Sequence, residues 1–397
     1  MKIKQIIAAV LAVAAVICIA FAVSSSVSST IPKDSIELLP TEFQTTAKRS
    51  STVNMVAVGD NLIHTAIYQQ AQNRTGNGSY NFLPVYDDVK DLIGAADIAV
   101  INQETMMYSE RAAASYPCFN TPVEMAQNLA DIGFDVLTIA NNHMLDVSSK
   151  GLISTLDLIN STDGLLASGA YHNREEYTAI KTITVNDITF AFLSFTEHTN
   201  GIPLPEDKDD YIVYLNELDD VELQVEYAAT VADCVVVSMH AGTEYADNYN
   251  SVQSEFAQKV ADWGADLIIG THPHTLQAVE SLTAADGRQV PVMYSLGNFV
   301  STQNERKRLV GGIANISITK DFSSGEITVG KPQLDIAITH YRAGRSGVKI
   351  YRLANYTDAL ASVHGVSGFS LDFIYEHIRN ILGEEYLIEE YRSGFAS

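Results

Sequence analysis

Five short apolar runs in this chain each stop at side chains able to hold a metal ion. Thr52–Val58 leads into Gly59-Asp60, and Asp97–Ile101 ends at Asn102-Gln103-Glu104. Val136–Ala140 is followed by Asn141-Asn142-His143, Cys234–Met239 by His240, and Ala265–Gly270 by Thr271-His272-Pro273-His274. Between the runs lie segments with apolar residues at helical spacing, such as Val123, Ala126, Leu129 and Ala130 behind Pro122. Strands alternating with helices predict a largely parallel sheet. In open α/β sheets, ligands bind beyond the carboxyl ends of the strands. The five polar endings are therefore expected to converge, although the chain scatters them from Asp60 to His274.

The residue types at these endings specify a chemistry. Asp60 and Glu104 offer carboxylates, Asn142 an amide oxygen, and His240, His272 and His274 imidazoles, with no thiolate among them. Such a set suits two divalent ions (Mn, Fe or Zn) in a reactive site better than a structural zinc. Pro273 partly fixes the backbone between two of the imidazoles. His143, next to Asn142, is the candidate general acid, and Asp146 is placed to orient it. Taken singly, each residue has an ordinary reading as a turn, cap or surface side chain. Their joint placement at equivalent strand ends makes the metal site the better account.

The rest of the chain frames this region. Helices are expected over Phe82–Ala95, Gly151–Ile159, Leu218–Ala232 and Val252–Trp263, with only a helix end starting at Tyr68. Tyr177–Val185 with Ile188–Phe195, and Gln277–Leu282 with Val290–Ser295, read as hairpins. Beyond Gly311 the pattern turns antiparallel, with strands at Ile313–Thr319, Ile327–Tyr341 and Val348–Leu353 and a last helix within Leu371–Leu387. His340 there reads as structural. The expected division is 1–23, a signal peptide or membrane anchor; 24–51, a Ser/Thr-rich linker; 52–355, the main domain; and 356–397, a helical extension.

The first segment rests on the uncharged run Ile6–Val23 behind Lys2 and Lys4, which implies export. The chain would then be secreted or held at the extracellular face of the membrane. Of three cysteines, Cys118 and Cys234 lie beyond that run, as free thiols or as one bridge. A formal net charge of −23 argues against nucleic acid as a partner. It also repels any polyanion except at a locally positive site.

The motifs VAVGD (Val56–Asp60), NQE (Asn102–Glu104), ANNHMLD (Ala140–Asp146), HAGTEY (His240–Tyr245), GTHPHTLQ (Gly270–Gln277) and SLGNF (Ser295–Phe299) form an ordered set. On this set the chain resembles the CapA family of bacterial capsule and poly-γ-glutamate synthesis proteins, relatives of calcineurin-like metallophosphoesterases. The resemblance implies a four-layer α/β/β/α sandwich. It implies one metal on Asp60, Glu104 and His274, and another on Glu104, Asn142, His240 and His272. His64, Glu244 and Asn298 are the candidate substrate contacts. True phosphoesterases of that kind usually carry Asp-x-His where this chain has Asp60-Asn61-Leu62, and an Asp in place of Glu104.

The implied function is a metal-dependent hydrolase or transferase acting on an envelope polymer such as poly-γ-glutamate, in company with membrane-bound synthase subunits. Two alternatives stand beside it. One is a non-catalytic polymer-binding or assembly component with a vestigial metal site; the other is an extracellular phosphodiesterase.

Overall fold

A computed structural model describes residues 49–392 of the chain. The expected signal or anchor segment and nearly all of the linker lie outside the described residues. Among those described, no helix is long and apolar enough to cross a membrane.

Two sheets face one another. The first begins with β1 (Ser50–Asn61), whose parallel neighbours β2 (Ile98–Asn102), β3 (Val136–Thr138) and β4 (Leu166–Ser168) follow in order. The crossovers carry helices α1 (Thr65–Thr75), α2 (Glu124–Ile132) and α3 (Ser148–Ser161), as parallel pairing requires. The second sheet has β5 (Thr182–Val185) antiparallel to β6 (Ile188–Thr196), then β7 (Cys234–His240) and β8 (Leu267–Thr271) parallel to β6. Its far edge is the hairpin β9 (Val279–Thr283) and β10 (Gln289–Met293). Helices α4 (Leu218–Val231) and α5 (Ser251–Trp263) join its parallel strands.

Side chains alternate across a strand, and the buried clusters follow that period. Phe190, Val236 and Ile269 share one core with Met55, Val100 and Leu137 of the facing sheet. Their neighbours Ala191, Val235 and Ile268 turn to the other side, against Val225 of α4 and Phe256 and Val260 of α5. The layers are thus helix, sheet, sheet, helix. Each fully buried Val, Ile or Phe contributes about 2 kcal/mol, so the all-apolar central strands hold the sandwich together.

The third group of strands completes the first sheet. After the short β11 (Asn298–Val300), which lies parallel to β1, β12 (Val310–Asp321) pairs antiparallel along β1. β13 (Ile327–Val329), β14 (Gln333–Arg342) and β15 (Ser346–Arg352) extend that side. A final helix, α6, covers Leu371–Ile381. The segment after it returns to the sheet, where Ile388 N–H donates to Leu334 O at 3.1 Å and the Tyr391 hydroxyl donates to Asp335.

Several local expectations are corrected. Tyr177 starts no strand: Asn173 caps a helical turn at Arg174–Thr178, its side chain accepting from Glu176 N–H. Phe82–Ala95 breaks into the 3₁₀ turn Leu83–Val85 and the short helix Lys90–Gly94. The strand expected over Ile327–Tyr341 is interrupted at Gly330-Lys331-Pro332, since proline cannot donate to a ladder. α1 is a full helix from Thr65, held by packing of Ile67 and Ala71. Cys118 is exposed and Cys234 buried, both as free thiols.

One close approach positions the site. The pairing of β1 with β2 shifts register between Val58 and Asp60, and Asp60 N–H donates to Gly297 O at 2.9 Å. A Cβ on Gly59 would lie 1.8 Å from that same carbonyl. Gly59→Ala is expected to cost about 3 kcal/mol, read as a lowered urea midpoint; an unchanged midpoint would mean β1 and Gly297 can separate freely.

A second expectation concerns acid. Burial pushes His340 and His377 down to about 4. A histidine depressed in the fold stabilises it above its unfolded value of about 6.5 and loses that contribution as pH falls toward 4. Urea midpoints should therefore drop between pH 6.5 and 4, less so in a His340→Gln variant. A slope unaffected by that substitution would reject the assignment for His340.

Candidate metal centre

The carboxyl ends of β1, β2, β3, β7 and β8 meet where the two sheets face each other. Asp60, Glu104 and His274 each direct a ligand atom into one buried group, all within 4.8 Å of one another. His274 Nδ1 lies 3.2 Å from Asp60 Oδ2, and its Nε2 lies 3.7 Å from Glu104 Oε1. The same Glu104 oxygen is 3.9 Å from His240 Nε2. That nitrogen is in turn 3.0 Å from Asn142 Oδ1 and 3.2 Å from His272 Nδ1. Glu104 therefore stands between two groups of potential ligands, Asp60 with His274 on one side and Asn142, His240 and His272 on the other.

Neighbouring groups aim the imidazoles. His240 Nδ1 is bonded to Thr271 Oγ1 at 2.9 Å, which turns Nε2 inward. His274 Nδ1 is 3.0 Å from Asn298 Oδ1, which leaves Nε2 toward Glu104. Asn102 Nδ2 donates to Asp60 Oδ1 at 2.7 Å. Behind them Tyr86, Asn61 and Gln103 form a buried chain of hydrogen bonds that ties the ends of β1 and β2 together. Partners of this kind fix ligand orientation and basicity.

The loop after β8 is bent sharply to bring both of its histidines inward. His272 and His274 adopt φ of 99° and 59°, a left-handed backbone that costs on the order of 1–3 kcal/mol per residue. Pro273 O accepts from Tyr245 N–H at 2.8 Å, and His274 O accepts weakly from Asn298 Nδ2 at 3.4 Å. Gly270 allows the preceding strand to approach Tyr294, whose carbonyl a Cβ would meet at 2.0 Å.

Electrostatics test whether a cation fits here. Both oxygens of Glu104 are buried without any hydrogen-bond partner, which is costly for a carboxylate. Burial first, then Asp60, pushes Glu104 well above the usual carboxylate range, with His274 opposing. Burial lowers His240 and His272 well below 6.5, helped by neighbouring imidazoles. They are thereby neutral, with lone pairs free to ligate. Burial also disfavours charge on His274, but Glu104 and Asp60 outweigh it and hold that imidazole up at about 9. The donor set and the orphaned carboxylate fit divalent metal.

His143 and Asp146 form a pair beside the cluster, with His143 Nδ1 2.7 Å from Asp146 Oδ2. The same carboxylate oxygen accepts from Phe119 N–H at 2.7 Å, and Phe119 packs edge-on against His143.

The candidate substrate residues separate. His64 is outside the ligand group: its Nδ1 lies near Leu62 O and Thr302 N–H, and its ring packs edge-on against Phe119. Glu244 is exposed beside the cluster, where its charge acts on Glu104 and His274. Asn298 bonds His274 through its oxygen and donates to Gln303 Oε1 and Arg308 O, so it also positions the loop after β8.

His198 was missed by sequence reasoning. It lies edge-on to His272 at 5.3 Å, and the strand-end rule would have found it, two residues beyond β6. Tyr245 stacks on His274, and Arg308 lies over Tyr245; no local pattern links these three.

Two facing sheets covered by helices, with carboxylates and imidazoles gathered at their strand ends, define an α/β/β/α sandwich with a candidate metal centre. Residues 54–303 match the family described as bacterial capsule synthesis protein PGA_cap, and the chain belongs to that family. The PGA biosynthesis protein CapA of Bacillus subtilis is 30% identical over 232 residues, 55% of this chain and 57% of that protein. The capsule biosynthesis protein CapA of Bacillus anthracis is 32% identical over 183 residues, 45% and 43% of the respective chains. The chain thus spans about half the length of the curated relatives it matches. Among solved structures, Haemophilus influenzae NAD nucleotidase aligns with a TM-score of 0.45 at 12% identity, over 84% of this chain and 60% of that one.

Metal should stabilise the protein by about 2.7 kcal/mol at a hundredfold excess over Kd. Glu104→Gln should abolish the rise in melting temperature on adding Mn or Zn while leaving the metal-stripped protein at least as stable. A retained metal-induced rise would remove Glu104 from the ligand set.

Proposed function

We propose that this chain is an exported, metal-dependent hydrolase or transferase acting on an envelope polymer, by similarity poly-γ-glutamate. The observation that carries the reading is Glu104, buried without a donor between two groups of ligands and next to the His143–Asp146 pair. Asp60, Glu104 and His274 would hold one ion, and Glu104, Asn142, His240 and His272 a second. Bound divalent ions supply Lewis acidity and water activation there.

The chain's own residues supply the proton chemistry. Asp146 can only accept when ionised, so it keeps a proton on His143 Nδ1. Protonated also at Nε2, His143 delivers that proton to the leaving group, and Asp146 stabilises the charged ring beforehand. Phe119 and Asp146 together restrict the ring to one orientation. The uncharged run Ile6–Val23 supports export, and with it an envelope setting for the reaction.

One observation favours a non-catalytic polymer-binding role instead. Leu62 is an apolar, buried residue where related phosphoesterases have a histidine, so the site lacks one possible contributor to turnover. The discriminating experiment assays metal-loaded protein on γ-glutamyl peptides and on phosphodiesters. Turnover of γ-glutamyl substrates supports the proposal, turnover of phosphodiesters alone would count against the capsule polymer, and stoichiometric metal with no turnover would favour the binding role. His143→Ala should keep its metal and lose turnover by about 10²–10⁴-fold; full activity in that variant would reject the general acid.

A further inference from the structure

Next to the metal centre opens a cavity of about 410 Å³ whose lining includes His64, Tyr245, Gln303, Arg308 and Arg345. It meets the cluster through two of its lining side chains. Tyr245 lines it and stacks on His274 with ring centroids 5.8 Å apart. His64 lines it and meets Phe119, which in turn packs on His143. A second cavity of about 410 Å³ continues the first, sharing Asn304, Gly344 and Arg345 and adding Arg342. The path runs from the ligand cluster, over the loop after β11, to the turn between β14 and β15.

The lining of this path reverses the charge of the molecule. The chain has 48 acidic and 25 basic residues, yet neither cavity is lined by any Asp or Glu, and together they hold three arginines. Arg308 is bonded to Glu305 at the rim, and its guanidinium lies 3.3 Å from the centre of the Tyr245 ring. Its buried Nε has no hydrogen-bond partner. Arg345 donates to Thr302 O at 2.9 Å. Among the described residues, neither Arg342 nor Arg345 has a carboxylate partner. Guanidinium forks match carboxylates in geometry as well as charge, and a positive cleft in an acidic protein concentrates anions locally.

We infer that these two joined cavities form the binding groove for an extended, carboxylate-rich chain, with Arg342 and Arg345 holding the part remote from the metal and Arg308 the part beside it. The inference rests on the polymer reading above and adds its binding site. A single small anion needs one such pocket. Two in series, with arginines spaced along them, suit a polymer threaded toward the metal centre.

Fluorescence anisotropy of a labelled γ-linked glutamate oligomer on the full chain tests this. Wild type should bind, more weakly as salt rises. The double variant Arg342→Gln/Arg345→Gln should bind at least about tenfold more weakly and with a flatter salt dependence, at an unchanged melting temperature. Arg342→Glu alone provides the same reading if the double variant does not fold. Equal affinity in wild type and variants would overturn the groove, as would absence of wild-type binding. Tighter, arginine-dependent binding of polyphosphate than of the glutamate oligomer would overturn the carboxylate assignment. Arginine-dependent glutamate binding by protein that holds metal but turns nothing over would sink the hydrolase reading and leave the groove standing.

Discussion

Glu104 is the constraint around which the strand ends are arranged. A carboxylate with two buried, unbonded oxygens is tolerated only if positive charge meets it. Burial pushes Glu104 up toward its neutral form, the charges of Glu104 and Asp60 hold His274 up at about 9, and burial pushes His240 and His272 down. These two features belong together: a cation site needs an uncompensated carboxylate and uncharged imidazoles at the same point. Folding energy from the two apolar cores is what carries the cost, since neither sheet could hold these groups in place alone.

Several local irregularities gather at the same place. The register shift at Gly59, the left-handed turns at His272 and His274, and the close approach of Gly270 to Tyr294 all occur at strand ends facing the cluster. Elsewhere the central strands are regular and apolar. The Thr271 and Asn298 contacts then decide which imidazole nitrogen faces inward, so the ligand geometry depends on residues that need not touch metal.

Charge is unevenly distributed around the centre. The chain is acidic, yet the two joined cavities beside the cluster are lined by Arg308, Arg342 and Arg345 and by no Asp or Glu.

Much of the site was legible in order along the chain. The apolar runs determined the central strands, because a strand buried on both faces must be apolar throughout, and their polar endings named Asp60, Glu104, Asn142, His143, His240, His272 and His274. Local chemistry did less well where capping or proline overrode pattern, as at Asn173 and Pro332. Tertiary structure alone decided that both Glu104 oxygens are buried without a donor, that Asn298 bonds His274, Gln303 and Arg308, and that His64 lines the cavity. It alone brought Tyr245 to His274, Arg308 over Tyr245, and Arg345 to Thr302. Those pairings join residues far apart in sequence and depend on how two sheets stack, and no periodicity within either sheet encodes that.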